Sequence, residues 1–171
     1  MYMPVEDMMK AETAEVHLAQ RTRGIASGTV VATLDGYLPV DFLEAGDRVV
    51  TRAGMRVLRK VQVTRFSGQA VRIAAAALGH DRPEQDLTLP ADTLILLRDW
   101  RAMAIYGEAQ ALVPVERLVD GEYVVHEDVL GMRLYELIFD APEIVYAEGI
   151  ELYCDGLHPT QTVAAEETDA A

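Results

Sequence analysis

The chain has 171 residues, half of them hydrophobic and a quarter charged, which is the usage of one globular domain and excludes a disordered chain. Its 28 acidic residues outweigh 15 basic ones to give a net charge of −13, which argues against a nucleic-acid backbone or an anionic membrane as partner and leaves a protein, a small molecule or none. One cysteine, Cys154, excludes an internal disulfide framework and a four-cysteine zinc site. The N-terminus has no basic segment followed by an apolar run, and no apolar stretch approaches ~18 residues, so the expected location is cytoplasmic, with secretion by another kind of signal left open.

In residues 1–23, Val5, Met8, Met9 and Val16 fall near one helical stripe with Glu6, Asp7, Glu12 and Glu15 off it, and a short N-terminal helix or arm is predicted. Packing on the domain and binding a partner are both open for it. From Gly24 the texture changes to short β-rich runs. Residues 29–34 read as a strand, Asp35-Gly36 as the turn of a hairpin and 37–40 as its return. Residues 48–51 follow a turn at 44–47, and 57–66 alternate as a strand with one solvated face. Residues 70–73 read as a further strand, and 74–79 as a helical turn that Gly79 stops.

Residues 87–89 and 93–97 are apolar runs split by Pro90, which has no N–H to give to a ladder. Residues 100–111 show no clear period and read as loop with room for a helix. The segment 112–115 reads as a strand, 115–118 as a helical turn, and 122–126, 133–139 and 143–147 as a closing series of strands. The tail, 156–171, is thin in large apolar side chains and is expected to be flexible. Many short strands between Gly and Asp turns predict an all-β domain over 24–155.

Three blocks carry a family resemblance: Gly28-Thr29-Val30-Val31-Ala32-Thr33-Leu34-Asp35-Gly36, then Pro39-Val40, then Leu43-Glu44-Ala45-Gly46-Asp47-Arg48-Val49-Val50-Thr51. Later blocks follow in order at 86–97, 112–119 and 143–149. In this order the chain resembles the Hint domains, the Hedgehog and intein self-processing fold, in their bacterial stand-alone branch. The resemblance implies a horseshoe-shaped β domain. It also implies a reaction: a Cys or Ser opening the first block attacks the preceding carbonyl, while a Ser or Thr and a His three residues apart in a later block polarise the bond and move protons.

Laid on that pattern, the nucleophile position falls on Gly24, the Ser/Thr position on Pro90 and the His position on Thr93. Two late histidines would fall near Glu136 and Pro142. Glycine has nothing to attack with, and proline offers neither hydroxyl nor N–H. The expectation is a degenerate domain, without catalytic residues or cofactor, that serves as a protein-interaction or scaffolding module of unknown oligomeric state. The alternative is residual self-cleavage through a displaced nucleophile, Ser27, Thr29 or Cys154, with Asp92 and Thr93 assisting, although a shift of three or five residues misaligns the attacked bond. A third reading is a small ligand or metal in the vacated cleft.

Among the other reactive groups, Cys154 reads as a small core residue whose acidic neighbours Glu151 and Asp155 raise its pKa. The histidines His17, His80, His126 and His158 lack metal-ligand spacing, and His126 with Glu127 and Asp128 reads as solvated; no metal is expected. Asp92, Glu136, Asp140 and Glu143 would converge if the family's site geometry persists, but exposed acids in turns is the favoured reading. Arg98, Trp100 and Arg101 form a small cluster that reads either as a contact surface or as ordinary side chains with buried stems.

Overall fold

The computed structural model describes Thr22 and residues 24–157. The helix expected in the N-terminal arm, His17, His158 and the tail from 158 onwards lie outside the described residues. The described chain is all-β with one short helix. In chain order it runs β1 (Ile25–Ala26), β2 (Val30–Thr33), β3 (Gly36–Pro39), a 3-10 turn (Val40–Phe42), β4 (Arg48–Thr51), β5 (Gly54–Val57) and β6 (Lys60–Ile73). There follow β7 (Leu87–Pro90), β8 (Leu94–Leu97), α1 (Trp100–Tyr106), β9 (Ala111–Pro114), a second 3-10 turn (Val115–Leu118), β10 (Val124–Ile138), β11 (Glu143–Ala147) and β12 (Ile150–Cys154).

Two hairpins near the start use one device. In β2–β3 the Thr33 hydroxyl donates to the Gly36 carbonyl at 2.7 Å and accepts the Asp35 N–H at 3.2 Å. In β4–β5 Thr51 does the same with Gly54 at 2.6 Å and Ala53 at 3.2 Å. Both threonines are buried, so each turn is closed by a hydroxyl that finds its partners locally. The turn residues of the first hairpin are therefore Leu34-Asp35, and Gly36, at φ +100°, opens the return strand.

The strands form a four-stranded sheet in the order β1-β10-β6-β7, and an eight-stranded one in the order β3-β2-β4-β11-β12-β8-β9 with β5 added to β4. The strands expected at 57–66 and 70–73 join into β6, with 57 ending β5 and 58–59 between the two strands, and those expected at 122–126 and 133–139 join into β10. Residues 60–73 form one strand through Ser67 and Gly68, and the runs 122–126 and 133–139 are halves of β10. The two pair antiparallel from Val124↔Ile73 to Ile138↔Lys60, and a bulge between Val129 and Met132 absorbs the irregularity that breaks the sequence pattern. Residues 74–79 form turns and not a helical turn; Ala76 stands at φ +62°.

The main core gathers Val31, Val49, Leu58, Val71, Leu89, Val113, Leu137, Phe139, Val145 and Leu152 among others, drawn from both sheets. β8 is buried at all four residues because its faces pack in different places: Ile95 and Leu97 enter the main core, while Leu94 and Leu96 join Leu112 and Ile144 in a smaller cluster. A strand covered on both faces loses polar alternation. β12, which the sequence reading omitted, lies between β11 and β8.

Candidate functional site

β1 is only two residues long, yet it fixes where the chain enters the domain. Ile25 pairs with Tyr135 and Ala26 with Leu134 on β10, which holds Gly24 flat against that strand. Gly24 has φ +123°, and a Cβ placed there would lie 2.8 Å from the Leu134 Cβ and 3.3 Å from the Tyr135 N. That conformation is one an L side chain rarely adopts, and Leu134 is fully buried. The position accepts glycine for backbone and packing reasons together.

Beside Gly24 a pocket opens between β1, the start of β8, β10 and the end of β12. Its polar lining comes from Thr22, Thr93, Glu136, Tyr153, Cys154 and Asp155, with Tyr135 and Leu137 among the walls. Thr93 is presented by a locked turn: its N–H donates to the Pro90 carbonyl at 3.0 Å and its carbonyl accepts the Val115 N–H at 2.9 Å. Its hydroxyl is buried with no hydrogen-bond partner. The Tyr153 hydroxyl donates to the Asp155 carboxylate at 3.2 Å. Burial pushes the Cys154 thiol well above its ordinary pKa, and the carboxylates of Asp155, Glu136 and Glu143 add to the shift. Such a thiol stays protonated and is a poor nucleophile.

The remaining residues singled out from the sequence divide between this pocket and other places. Pro90 ends β7, paired with Ala70, and does not line the pocket. Asp92 accepts the Thr22 N–H at 2.9 Å, just ahead of Gly24. Ser27 lies in a turn, where its hydroxyl donates to Asp41 and the Gly28 N–H donates to the same carboxylate at 2.6 Å. That donated hydroxyl, with the backbone N–H, holds the Asp41 pKa below the usual carboxylate range against a smaller opposing effect of burial. Thr29 is buried, and neither it nor Ser27 reaches the pocket.

The four acids do not converge. Glu136 lines the pocket, whereas Asp140 is exposed and forms a two-point pair with Arg59 at 2.9 Å. Glu143 is buried rather than exposed; it pairs with Arg56 at 3.2 Å, and burial raises its pKa more than the arginine lowers it. Pro142 lies in the loop before β11 and does not line the pocket. His80 stands in a turn at φ +52°, His126 pairs with Val71 within the long ladder, and Glu127 accepts from the Thr88 hydroxyl. No group of three or more metal-ligating side chains occurs among the described residues. Tyr135, Tyr153 and Asp155 are pocket residues that the sequence reading missed or assigned no role there, since only strand pairing brings 135 and 153–155 to Gly24.

Arg98, Trp100 and Arg101 separate by task. Arg98 pairs with the buried carboxylate of Glu151. Arg101 binds the side chain of Asp99, which also caps α1 by accepting the Arg101 N–H at 2.9 Å. Trp100 is 72% exposed, with the Arg101 guanidinium 5.5 Å from its ring centre.

Two sheets, the smaller built on the long β6–β10 ribbon, and a short first strand beside a pocket make up an all-β domain. A profile of the Hint domain matches residues 24–161, and the chain belongs to the Hint domain family. Its structure is similar to the solution structure of a bacterial intein-like domain from Clostridium thermocellum, with a TM-score of 0.57 and 13% identity over 79% of this chain and 99% of that one. It is also similar to the gp41-1 intein, at 0.53 and 12% over 77% and 98%, and to a DnaB intein from Synechocystis, at 0.52 and 10% over 77% and 98%. At these identities the likeness establishes the fold alone. No curated protein matches the sequence significantly.

Proposed function

We propose that this Hint domain does not carry out the acyl shift its family resemblance implies, and that it acts as a protein-interaction module. The observation that carries this reading is Gly24. The first block would begin its chemistry there, yet φ is +123° and a Cβ would fall 2.8 Å from Leu134. A nucleophile is not merely missing at this position; the backbone and the packing leave no room for one. The pocket beside it offers the hydroxyls of Thr22, Thr93, Tyr135 and Tyr153, two carboxylates and a protonated thiol, but no imidazole among the described residues. An acyl shift requires an activated nucleophile held against the carbonyl it attacks.

The interaction half of the reading is supported by α1, where Trp100, Met103 and Ile105 are 72%, 57% and 57% exposed on a seven-residue helix. Aromatic, methionine and arginine side chains are enriched where proteins meet. Trp100 is the chain's single tryptophan, so a partner seated on this helix shifts its emission to the blue, and one that leaves the emission unchanged binds elsewhere.

The decisive test is the intact mass of fresh and aged protein, with and without hydroxylamine or a thiol. A constant mass supports the reading. Time-dependent cleavage between residues 23 and 24, or a trapped thioester, overturns it.

A further inference from the structure

We propose that the outward face of the larger sheet, where β3, β2, β4 and β5 lie side by side, docks a basic amphipathic helix of a protein partner. Tyr37, Ala32, Val50 and Met55 stand in one row across these strands: Ala32 pairs with Tyr37, Val50 pairs with Met55, and the pairing of Thr33 with Val49 sets Ala32 beside Val50. A second row next to it holds Leu34, Arg48 and Val57, since the Leu34 N–H donates to the Arg48 carbonyl at 3.0 Å and Arg48 pairs with Val57. Strands β8 and β9, which flank α1 in the chain, close the opposite end of this sheet, so the inference goes beyond the surface at Trp100 and does not rest on it.

Side chains alternate between the two faces of a strand. On the inner face Val31, Thr33, Val49 and Thr51 are buried, and both valines belong to the main core. A sheet with one face on the core ordinarily turns polar side chains to water on the other. Here the two outward rows hold six apolar side chains and one arginine. Tyr37, Leu34 and Met55 are 75%, 54% and 39% exposed, and Ala32, Val50 and Val57 are partly buried among them. Apolar residues scattered singly over a surface need no explanation, but a contiguous apolar face marks a place where another element packs.

Charge selects the occupant. Asp35, in the hairpin turn, and Glu44 and Asp47, in the turn that leads into β4, stand at the rim of the face. None of the three forms an ion pair with a described residue. A segment with lysine or arginine beside its apolar stripe meets that rim favourably. A second copy of the chain would set the same three acids against each other at a net charge of −13 per copy, and an anionic membrane is repelled in the same way. The chain's own termini do not supply the charge either: residues 1–21 carry four acids against two basic residues, and residues 158–171 carry three acids and no lysine or arginine. Four strands about 4.8 Å apart make the row about 14 Å wide, close to the ~10–12 Å diameter of one helix, so a single apolar stripe covers it.

The test titrates the full chain, labelled with nitrogen-15, with a synthetic peptide of two Leu-Lys-Lys-Leu-Leu-Lys-Leu repeats and with its counterpart carrying glutamate for lysine. Saturable shifts of the Ala32, Val50 and Met55 amide signals with the lysine peptide, and none with the glutamate peptide, are expected. Affinity should fall about tenfold or more in the double variant Tyr37→Ser/Met55→Ser. In Asp35→Asn/Glu44→Gln it should fall about threefold, a loss that salt at about 0.5 M removes. Leu130→Ser, at a side chain 92% exposed on β10, should bind the peptide as the parent does. The comparison of the two peptides on the parent chain stands whether or not a variant folds. Equal affinity for the two peptides, parental affinity in Tyr37→Ser/Met55→Ser, shifts confined to the surroundings of Trp100, or no saturable binding would each overturn the proposal. So would sedimentation that shows a dimer of the parent split by the same double variant, because the occupant is then a second copy.

Discussion

Restoring a nucleophile at residue 24 is the sharpest test of the physical account of this domain. In Gly24→Cys the new side chain sits at φ +123° with its Cβ 2.8 Å from that of Leu134. Backbone in a sparsely populated region costs on the order of 1–3 kcal/mol, and overpacking against a buried side chain costs about as much again. The sum, about 2–6 kcal/mol, is a large part of the ~5–15 kcal/mol that holds a domain folded. With a urea slope of about 2 kcal/mol per molar, the unfolding midpoint drops by about 1–3 M. Urea unfolding followed by Trp100 fluorescence, with intact mass after incubation in dithiothreitol, reads both consequences. A variant with the parent's midpoint, or one that cleaves before residue 24, refutes the reasoning: the first shows that position 24 has room, and the second that the rest of the site still works.

Gly156 forms a parallel bridge with Phe139, and a Cβ there would lie 2.7 Å from the Ala141 backbone; Gly156→Ala is expected to destabilise by about 1–3 kcal/mol, measured by the same unfolding. Glu151→Ala leaves Arg52, only 16% exposed, without its carboxylate and should cost about 3–5 kcal/mol, whereas the exposed Asp140→Ala at the Arg59 pair should leave the unfolding midpoint close to the parent's. Cys154 is expected to resist iodoacetamide in the native state and to react fully in urea; rapid native labelling, read by mass, would contradict its burial. The Asp41 pKa is lowered in the fold, so its contribution to stability is present above the ordinary aspartate value and is lost as pH falls through the lowered one. Removing the donor in Ser27→Ala should move acid unfolding, followed by circular dichroism, to higher pH.

The elements differ in how legible they were for local reasons. The strand Arg48–Thr51, the 3-10 turn Val115–Leu118 and the strand Glu143–Ala147 were read to the residue, because each is bounded by turn chemistry in its own sequence. α1 was readable in principle: Asp99 caps it and Gly107, at φ +70°, ends it, the usual start and stop signals at the right spacing. They were overlooked because the buried and exposed residues between them do not form a clean stripe. In the sequence β6 and β10 each show as two separate runs, and what carries them through is their ladder with each other. β12 shows buried Glu151 amid its apolar residues, and such a carboxylate becomes a strand residue only once two arginines from elsewhere in the chain reach it.

By itself the sequence determined the class of fold and the family, because the order of turn signals and apolar runs is written locally along the chain, and the absence of a hydroxyl or thiol at residue 24 is plain from its identity. Only the tertiary structure decided that residue 24 has no room for a side chain, that Thr93 lines the pocket beside it while Asp92 holds the Thr22 amide, and that the Arg82 stem lies across Gly149. Each of these depends on pairing between segments scores of residues apart, such as β1 on β10 or the 74–86 loop on Gly149. Local propensity carries no record of which distant strand a residue will lie against.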